Sequence, residues 1–205
     1  YMVHYIAHRQ NKLIKLQNLK KLSFSGVELD LRTFSKKIIF QHDPFKKGLD
    51  FFSNYRLLKN FFLIIDIKSS GISQRIINFL RKKKANFLIL NLSSPELMEM
   101  INKKFQKNLF LRYSFFENID LKEKKFKKVN WVWVDFLNNN PITLKDYKYF
   151  KKNKKKICLT SPDLAGLKKR YIKNYIFHLN KNKIKADMVC VKQKNLKIWK
   201  KYYKY

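Results

Sequence analysis

Residues 61–68 read Phe-Phe-Leu-Ile-Ile-Asp-Ile-Lys, and they begin with the longest uncharged apolar run of the chain, residues 61–65. A short run of this kind, rich in Ile and Phe, predicts a β-strand. Asp66 would then be a carboxylate inside an apolar strand, which is unusual because burying an unpaired charge costs several kcal/mol. This stretch therefore predicts both a strand of the core and a functional acidic residue.

Comparable apolar runs recur along the chain at a spacing of about 22 to 34 residues, and Lys-rich amphipathic stretches follow them. This alternation predicts strands separated by helices. Ser94-Pro95 predicts a helix start with Ser94 as the N-cap, and Thr143 predicts a second one. The predicted strands are residues 3–8, 27–32, 61–68, 87–92, 109–114, 131–136, 157–161 and 188–192, with an additional short strand at 38–42.

The eight runs favour an α/β fold, a (β/α)8 TIM barrel, over the alternative of an open doubly wound sheet. A chain of 205 residues has the length of one domain, and no Pro/Gly-rich linker divides it, so we expect residues 1–205 to form a single barrel domain. The sequence has no GxGxxG or Walker motif, and only four glycines. A Gly-rich phosphate-binding loop is therefore nearly excluded.

The net charge of +33 is the second prominent feature, from 47 Lys and Arg against 14 Asp and Glu. Residue types encoded by codons of A and T alone dominate the chain, so compositional drift explains the lysines without a polyanionic partner. Residues 145–156 mix lysines with aromatics, a composition that can bind single-stranded nucleic acid. We favour a solvated helix there over nucleic-acid binding. Peripheral contact with an anionic membrane is a further possibility.

The sequence also gives an expectation for the location of the protein in the cell. No stretch approaches the roughly 20 apolar residues of a membrane span, and no secretory signal is visible. Cys158 and Cys190 lie in apolar runs without metal-like spacing, which predicts free buried thiols in a reducing compartment. We expect a cytoplasmic protein.

The few acidic residues concentrate at predicted strands. Glu28 and Asp30 alternate with aliphatic residues, so a strand places both carboxylates on one face. In a barrel, the ends of the strands converge on one mouth. The polar residues expected there are His8, Arg9, Glu28, Asp30, His42, Asp43, Asp66 and Lys68.

Three carboxylates suit a hard divalent cation such as Mg²⁺ or Ca²⁺, whereas the absence of a Cys/His cluster in the sequence argues against structural zinc. Two histidines near a metal offer a general base and a general acid, and Arg9 and Lys68 offer positive charge for an oxyanion. The combination suits cleavage of a phosphodiester.

Four segments, Ile6-Ala-His-Arg-Gln10, Gly26-Val-Glu-Leu-Asp30, Phe40-Gln-His-Asp-Pro44 and Ile64-Ile-Asp-Ile-Lys68, together resemble the ordered motifs of the glycerophosphodiester phosphodiesterase family. That family belongs with the phosphatidylinositol-specific phospholipase C-like barrels, and this chain resembles a compact, divergent member. The resemblance implies a phosphoric diester hydrolase of lipid metabolism acting on a small-molecule phosphodiester. By motif it implies His8 and His42 as the acid and base, Glu28, Asp30 and Asp66 as ligands of Mg²⁺ or Ca²⁺, and Arg9 and Lys68 as phosphate contacts.

Further residues at predicted strand ends have two open readings. Asp43, Asn91, Arg112 and Asp135 either line the site or satisfy neighbouring groups of the protein. His4 and His178 are predicted to be structural. The alternative to an enzyme is a non-catalytic barrel that binds an anionic ligand or nucleic acid through its basic surface, an alternative supported by Gln10, which stands where the family usually has Gly.

Overall fold

A computed structural model describes residues 2–14, 16–117, 119–120, 122–138 and 141–204, without the side chain of residue 125. The chain divides into two compact units. The first unit is Arg9–Phe110, and the second unit combines Tyr1–His8 with Leu111–Tyr205. The expectation of one domain stays a prediction.

In the described part of the chain, every predicted strand is present. The strands are β1 (His4–Ala7), β2 (Gly26–Phe34), β3 (Lys37–Phe40), β4 (Leu49–Asp50), β5 (Phe62–Ile67), β6 (Phe87–Leu90), β7 (Phe110–Tyr113), β8 (Trp131–Val134), β9 (Lys156–Thr160) and β10 (Met188–Val191). The α-helices are α1 (Leu16–Lys21), α2 (Phe51–Asn54), α3 (Ser73–Lys82), α4 (Ser94–Asn102), α5 (Lys124–Lys127), α6 (Leu144–Lys152), α7 (Lys169–Lys181) and α8 (Leu196–Tyr202). The two-residue strand β4 was not predicted, because it is too short to show a period.

The first unit contains a parallel arrangement in which β5 lies between β2 and β6. The register places Asp30 of β2 opposite Asp66 of β5. An antiparallel hairpin follows β2, since β3 pairs with β2 and β4 pairs with β3. The aliphatic residues Leu29, Ile65 and Ile89 of the three parallel strands are fully buried, so this sheet forms the core that supports the carboxylates.

In the second unit, β1, β10, β9 and β8 are joined by parallel pairings in that order. Trp199 of α8 is fully buried, and its indole Nε1 donates a hydrogen bond to Ser161 Oγ at 2.8 Å. Cys158 and Cys190 are buried thiols that form no disulfide, as predicted. Their thiols therefore act as small apolar groups of this core.

Two helix starts test the capping predictions. Thr143 caps α6 as predicted, because its side chain accepts a hydrogen bond from the Asp146 backbone while Asp146 bonds back to the Thr143 backbone. At α4 the N-cap is Ser93 rather than Ser94, so that prediction was wrong by one residue. Ser93 Oγ accepts from the Glu96 N–H at 3.4 Å, which is the bond that an N-cap three residues before Glu96 makes.

The Lys-rich segment at residues 145–156 contains helix α6, whose lysines are solvated as expected, and one buried lysine that lies beyond the helix. Its lysines on α6 are exposed or half-buried, but Lys155 is only 2% exposed. Its Nζ donates to the backbone oxygens of Phe126, Lys127 and Val129 at 3.0, 2.9 and 2.5 Å. Lys155 therefore ties the end of α5 to the start of β9.

No helix among the described residues combines the length and the apolar character that crossing a membrane requires.

Candidate metal and phosphodiester site

Three buried carboxylates meet in the first unit. Glu28 and Asp30 project from β2 and Asp66 from β5, and one oxygen of each lies within 4.8 Å of the others. Their exposures are 2, 2 and 8%. The period of two along β2 brings Glu28 and Asp30 to one face, and the pairing of Asp30 with Asp66 adds the third. We call this group the carboxylate cluster.

Two cations contact the carboxylate cluster. Lys68 Nζ lies 2.7 Å from Asp66 Oδ2 and 3.5 Å from Asp30 Oδ1. Arg9 Nε lies 3.6 Å from Asp30 Oδ2, and the Arg9 side chain is 46% exposed. The predicted phosphate contacts therefore lie beside the predicted metal ligands. With all five groups charged, the set carries one net negative charge, and a divalent cation would reverse it to one positive charge, the complement of a phosphodiester.

Burial and mutual repulsion shift the titration of the cluster. Burial raises the pKa of Glu28 well above its usual range, the negative charges of Asp30 and Asp66 raise it further, and the Arg9 N–H and Lys68 oppose the rise. Burial also raises the pKa of Asp66, against the effect of Lys68. Protons compete for these carboxylates, so cation binding there is linked to proton release.

Residues 9–11 form a loop that is hydrogen-bonded to β2 beside the carboxylate cluster. The backbone N–H of Arg9 donates to Glu28 Oε2 at 2.7 Å, and that of Gln10 donates to the Glu28 carbonyl at 2.9 Å. Arg9 has a positive φ of 51°. Asn11 then bonds twice to Asp30, and no sequence argument identified this residue. The feature of the sequence that could have identified Asn11 is its position directly after His8-Arg9-Gln10 of the first motif.

Asn91, predicted as a residue that lines the site or satisfies a neighbour, joins the cluster. Its Nδ2 donates to Asp66 Oδ1 at 2.7 Å. Its own carbonyl oxygen, Oδ1, is buried and has no hydrogen-bond partner among the described residues. Carboxylate and amide oxygens are what Mg²⁺ and Ca²⁺ select, and an oxygen acceptor left without a partner beside three carboxylates fits a hydrated cation. The residues present thus fit the predicted metal.

His42 follows the hairpin strand β3 and lies in a cleft with a volume of about 520 Å³. Its Nδ1 is 2.8 Å from Asp43 Oδ1. The hydrogen bond to His42 is the largest of the effects that lower the pKa of Asp43 to about 2, with Lys46 adding to it. An ionised Asp43 accepts the proton of Nδ1, so Nε2 is the ring nitrogen left for acid–base chemistry. The cleft is lined by Arg9, Asn11, Lys12, Ile14, Phe40, Gln41, His42, Asp43, Lys47, Gly48 and Leu49.

Arg32 fixes the backbone around His42. Its Nη2 donates to the His42 carbonyl at 2.9 Å, and its Nε donates to the Gln41 carbonyl at 3.3 Å. Arg32 lies on the same strand as Glu28 and Asp30 but was not predicted as a site residue. Arg32 and Asp43 together hold both the backbone and the ring of His42.

The remaining predicted residues lie in the second unit. His8 follows β1, where its backbone N–H donates to the Val191 carbonyl at 3.1 Å, and its catalytic role stays a prediction. Asp135 accepts from Arg112 Nε and from Trp133 Nε1, each at 2.7 Å. These contacts favour the reading in which Arg112 and Asp135 satisfy neighbouring groups.

The two predicted structural histidines also lie in the second unit. His178 Nε2 is 2.8 Å from the Ile142 carbonyl, as a structural histidine would be. His4 is exposed at the start of β1.

Known structures with the same fold include a glycerophosphoryl diester phosphodiesterase from Parabacteroides distasonis, with a TM-score of 0.69 at 11% identity over 97% of this chain and 85% of that one. A glycerophosphodiester phosphodiesterase from Agrobacterium tumefaciens gives 0.66 at 9% identity, covering 95 and 99%. A chain of the tryptophan synthase complex from Pyrococcus furiosus gives 0.55 at 15% identity, covering 97 and 90%. No protein-family model and no curated protein matches the sequence.

These likenesses define the fold class, an α/β (β/α)8 TIM barrel, as predicted. Within that class, the chain has the fold of the glycerophosphodiester phosphodiesterases, the family that its motifs resemble. The tryptophan synthase chain has the same fold, so the fold is not confined to glycerophosphodiester phosphodiesterases. The fold alone therefore does not define the chemistry, which depends on the side chains of the site.

Proposed function

We propose that this protein is a metal-dependent phosphoric diester hydrolase acting on a glycerophosphodiester-like substrate. The observation that carries the proposal is the carboxylate cluster, three acidic side chains buried within 4.8 Å of one another beside Lys68 and Arg9. Burying three acids together is unfavourable unless a cation compensates them, and Lys68 and Arg9 balance only part of that charge. The fold shared with glycerophosphodiester phosphodiesterases supports the same reaction.

Glu28, Asp30 and Asp66 would hold Mg²⁺ or Ca²⁺, which would supply a Lewis acid for a phosphoryl oxygen. Arg9 and Lys68 would bind the remaining phosphate oxygens. Lys68 is 20% exposed and Arg9 46%, so both side chains reach solvent while they contact the cluster. Their contacts with Asp30 and Asp66 hold them in place before the substrate binds, which reduces the reorganisation needed in the transition state.

His42 would transfer a proton through Nε2, because Nδ1 is engaged by Asp43. His8 is proposed as its counterpart, so that one histidine activates the nucleophile and the other protonates the leaving alkoxide. The nucleophile would be water or a neighbouring hydroxyl of the substrate. Attack by water breaks the P–O bond to one alcohol and gives a phosphomonoester and that alcohol. Attack by a substrate hydroxyl breaks the same bond and gives a cyclic phosphodiester and the alcohol, and water must then open the ring to complete the hydrolysis.

The test is hydrolysis of a chromogenic phosphodiester and a panel of glycerophosphodiesters in Mg²⁺, Ca²⁺ or chelator. Wild type is compared with Glu28→Gln, with His42→Ala, and with the matched control Glu99→Gln, which changes a half-exposed carboxylate on α4. We expect metal-dependent turnover that falls by at least about 100-fold in the first two variants and persists in the control.

Turnover that is insensitive to chelator, or equal in Glu28→Gln and wild type, would contradict the proposed site. No turnover with any diester, together with tight binding of phosphodiesters or oligonucleotides, would instead favour the non-catalytic alternative. A steep loss of oligonucleotide binding with added salt would identify the basic surface as its cause.

A further inference from the structure

The cleft around His42 has an apolar edge that faces solvent. Phe45 is 94% exposed, Ile14 is 64% exposed and Leu49 is 45% exposed. Ile14 and Leu49 line the cleft, and Phe45 lies in the turn between Asp43 and Lys47, which also line it. Three large apolar side chains exposed around one opening form a patch, whereas single exposed apolar residues are normal on a protein surface.

The backbone itself presents Phe45 to solvent. Pro44 precedes it, and Phe45 has a positive φ of 59°, a conformation that disfavours an aromatic side chain and usually holds Gly or Asn. The aromatic ring contributes nothing to the core from that position. An aromatic residue at the tip of a turn is an unfavourable choice for folding alone, and its exposed ring is available to contact a partner.

Lysines accompany the apolar residues. Lys12 and Lys47 line the cleft, and Lys46 is adjacent to Phe45. All three lysines are exposed, and the side chain of Lys46, which is 65% exposed, also pairs with Asp43. We call the combined set of apolar and basic residues the rim surface, and its members are Lys12, Ile14, Phe45, Lys46, Lys47 and Leu49.

We propose that the rim surface docks onto an anionic lipid bilayer. Large apolar side chains that enter the interface, combined with lysines at headgroup level, are the two attractions that hold a peripheral protein on such a membrane. Two of its three apolar members, Ile14 and Leu49, are aliphatic and offer no flat face for stacking a base, so the surface suits lipid better than single-stranded nucleic acid. The opening of the cleft would then face the membrane.

This proposal goes beyond the proposed function, because docking requires no turnover. If the chain also hydrolyses diesters, docking would place the headgroup phosphodiester of a phospholipid at the cleft that contains His42. The substrate class would then be a membrane lipid. Binding is therefore measured separately from hydrolysis, with Glu28→Gln included as a variant expected to lose turnover and keep docking.

The direct test places an environment-sensitive fluorophore at the rim surface. Phe45→Cys is labelled and compared with labelled Phe177→Cys, which replaces a Phe that is 69% exposed on α7. Cys158 and Cys190 are both fully buried, so the label goes to the introduced thiol. With phosphatidylcholine vesicles containing phosphatidylserine, we expect a blue shift and an intensity gain at position 45 and neither at position 177. Equal responses at both positions would overturn the proposal.

A second measurement uses vesicle sedimentation without labels. Phe45→Ser should weaken partitioning onto phosphatidylserine vesicles about tenfold, and Phe177→Ser should leave it unchanged. The double variant Lys46→Gln/Lys47→Gln should weaken it about tenfold or more, well beyond the effect of Lys127→Gln/Lys128→Gln, which removes two exposed adjacent lysines elsewhere. Equal losses in the two lysine pairs would assign binding to the overall charge and overturn the proposal.

A third measurement tests whether the rim surface binds nucleic acid instead of lipid. The same variants are titrated with a single-stranded oligonucleotide in the same buffer. We expect Phe45→Ser to change vesicle binding and to leave oligonucleotide binding unaltered. A loss of oligonucleotide binding in Phe45→Ser, with vesicle binding unaffected, would show that the rim surface binds nucleic acid instead of lipid.

Discussion

Asn11 bonds to Asp30 at two points. Its Nδ2 donates to Asp30 Oδ2 at 2.7 Å, and its Oδ1 accepts from the Asp30 backbone N–H at 2.9 Å. One amide thus fixes both the main chain and the carboxylate of a proposed metal ligand. Hydrogen-bonded partners of this kind orient ligands before the metal binds, and their loss commonly costs affinity or activity.

Replacing Asn11 should therefore weaken metal binding without removing any of the proposed metal ligands. We expect Asn11→Ala to raise the metal concentration needed for half-maximal turnover by about tenfold, because Asp30 loses its orientation. The measurement is turnover against metal concentration, with Asn18→Ala, an exposed position on α1, as the control. A variant that lowers turnover equally at every metal concentration would show that Asn11 does not act through the metal.

The raised pKa of Glu28 predicts how stability varies with pH in metal-free protein. Below its ordinary value of 4.5, Glu28 is protonated in the folded and unfolded states alike. Above that value the unfolded state releases the proton first, so the contribution of Glu28 to stability is lost as pH rises through the folded-state pKa. Glu28→Gln cannot ionise and escapes this loss.

We therefore expect the Tm of Glu28→Gln, relative to wild type in chelator, to rise as pH increases from 4.5. Thermal melts across that range measure the difference. Adding Mg²⁺ or Ca²⁺ should raise the Tm of wild type more at high pH than at low pH, because the cation binds the ionised carboxylates. A difference between the two proteins that does not change with pH would show that Glu28 does not have the raised pKa.

Asp43 contacts the ring of His42 through Nδ1, so we assign it the proposed role of positioning that histidine. Asp43→Ala leaves the His42 ring without the partner at Nδ1, so we expect turnover to fall by at least about tenfold. The measurement is the pH profile of turnover. A change in the environment of His42 would alter the shape of the profile, whereas a loss of folded protein would lower the rate by the same factor at every pH. Asp120→Asn, an exposed acid in the second unit, serves as the control. An unaltered profile and rate would remove Asp43 from the mechanism.

Lys155 predicts a stability effect far from the cluster. Lys155→Met removes three hydrogen bonds from a buried site, and of the three backbone oxygens Phe126 O keeps the Val129 N–H as a donor, so we expect the free energy of unfolding to fall by about 3 kcal/mol. Burial lowers the pKa of Lys155, in agreement with its enclosed position. Urea unfolding measures the loss, and Lys152→Met, on the exposed end of α6, should change it little. Equal stabilities would contradict the structural role assigned to Lys155.

The strands were predictable because their signal is local. An apolar run such as residues 61–65 reports burial, and the period of two along β2 brings Glu28 and Asp30 to one face whatever the strand pairs with. Thr143 was equally predictable, since an N-cap bonds within its own turn. The placement of the N-cap at Ser93 rather than Ser94 depended on which serine reaches the Glu96 N–H, which two adjacent serines do not reveal in sequence.

Sequence alone thus determined the succession of strands, the barrel class and the acidic character of the site. Tertiary structure alone decided that Asp66 lies opposite Asp30, that Asn11 holds Asp30, and that Lys155 is buried among carbonyls. These contacts join residues that are 19 to 36 positions apart. They arise from strand register and from the meeting of distant segments, and a local pattern of side chains contains no record of either.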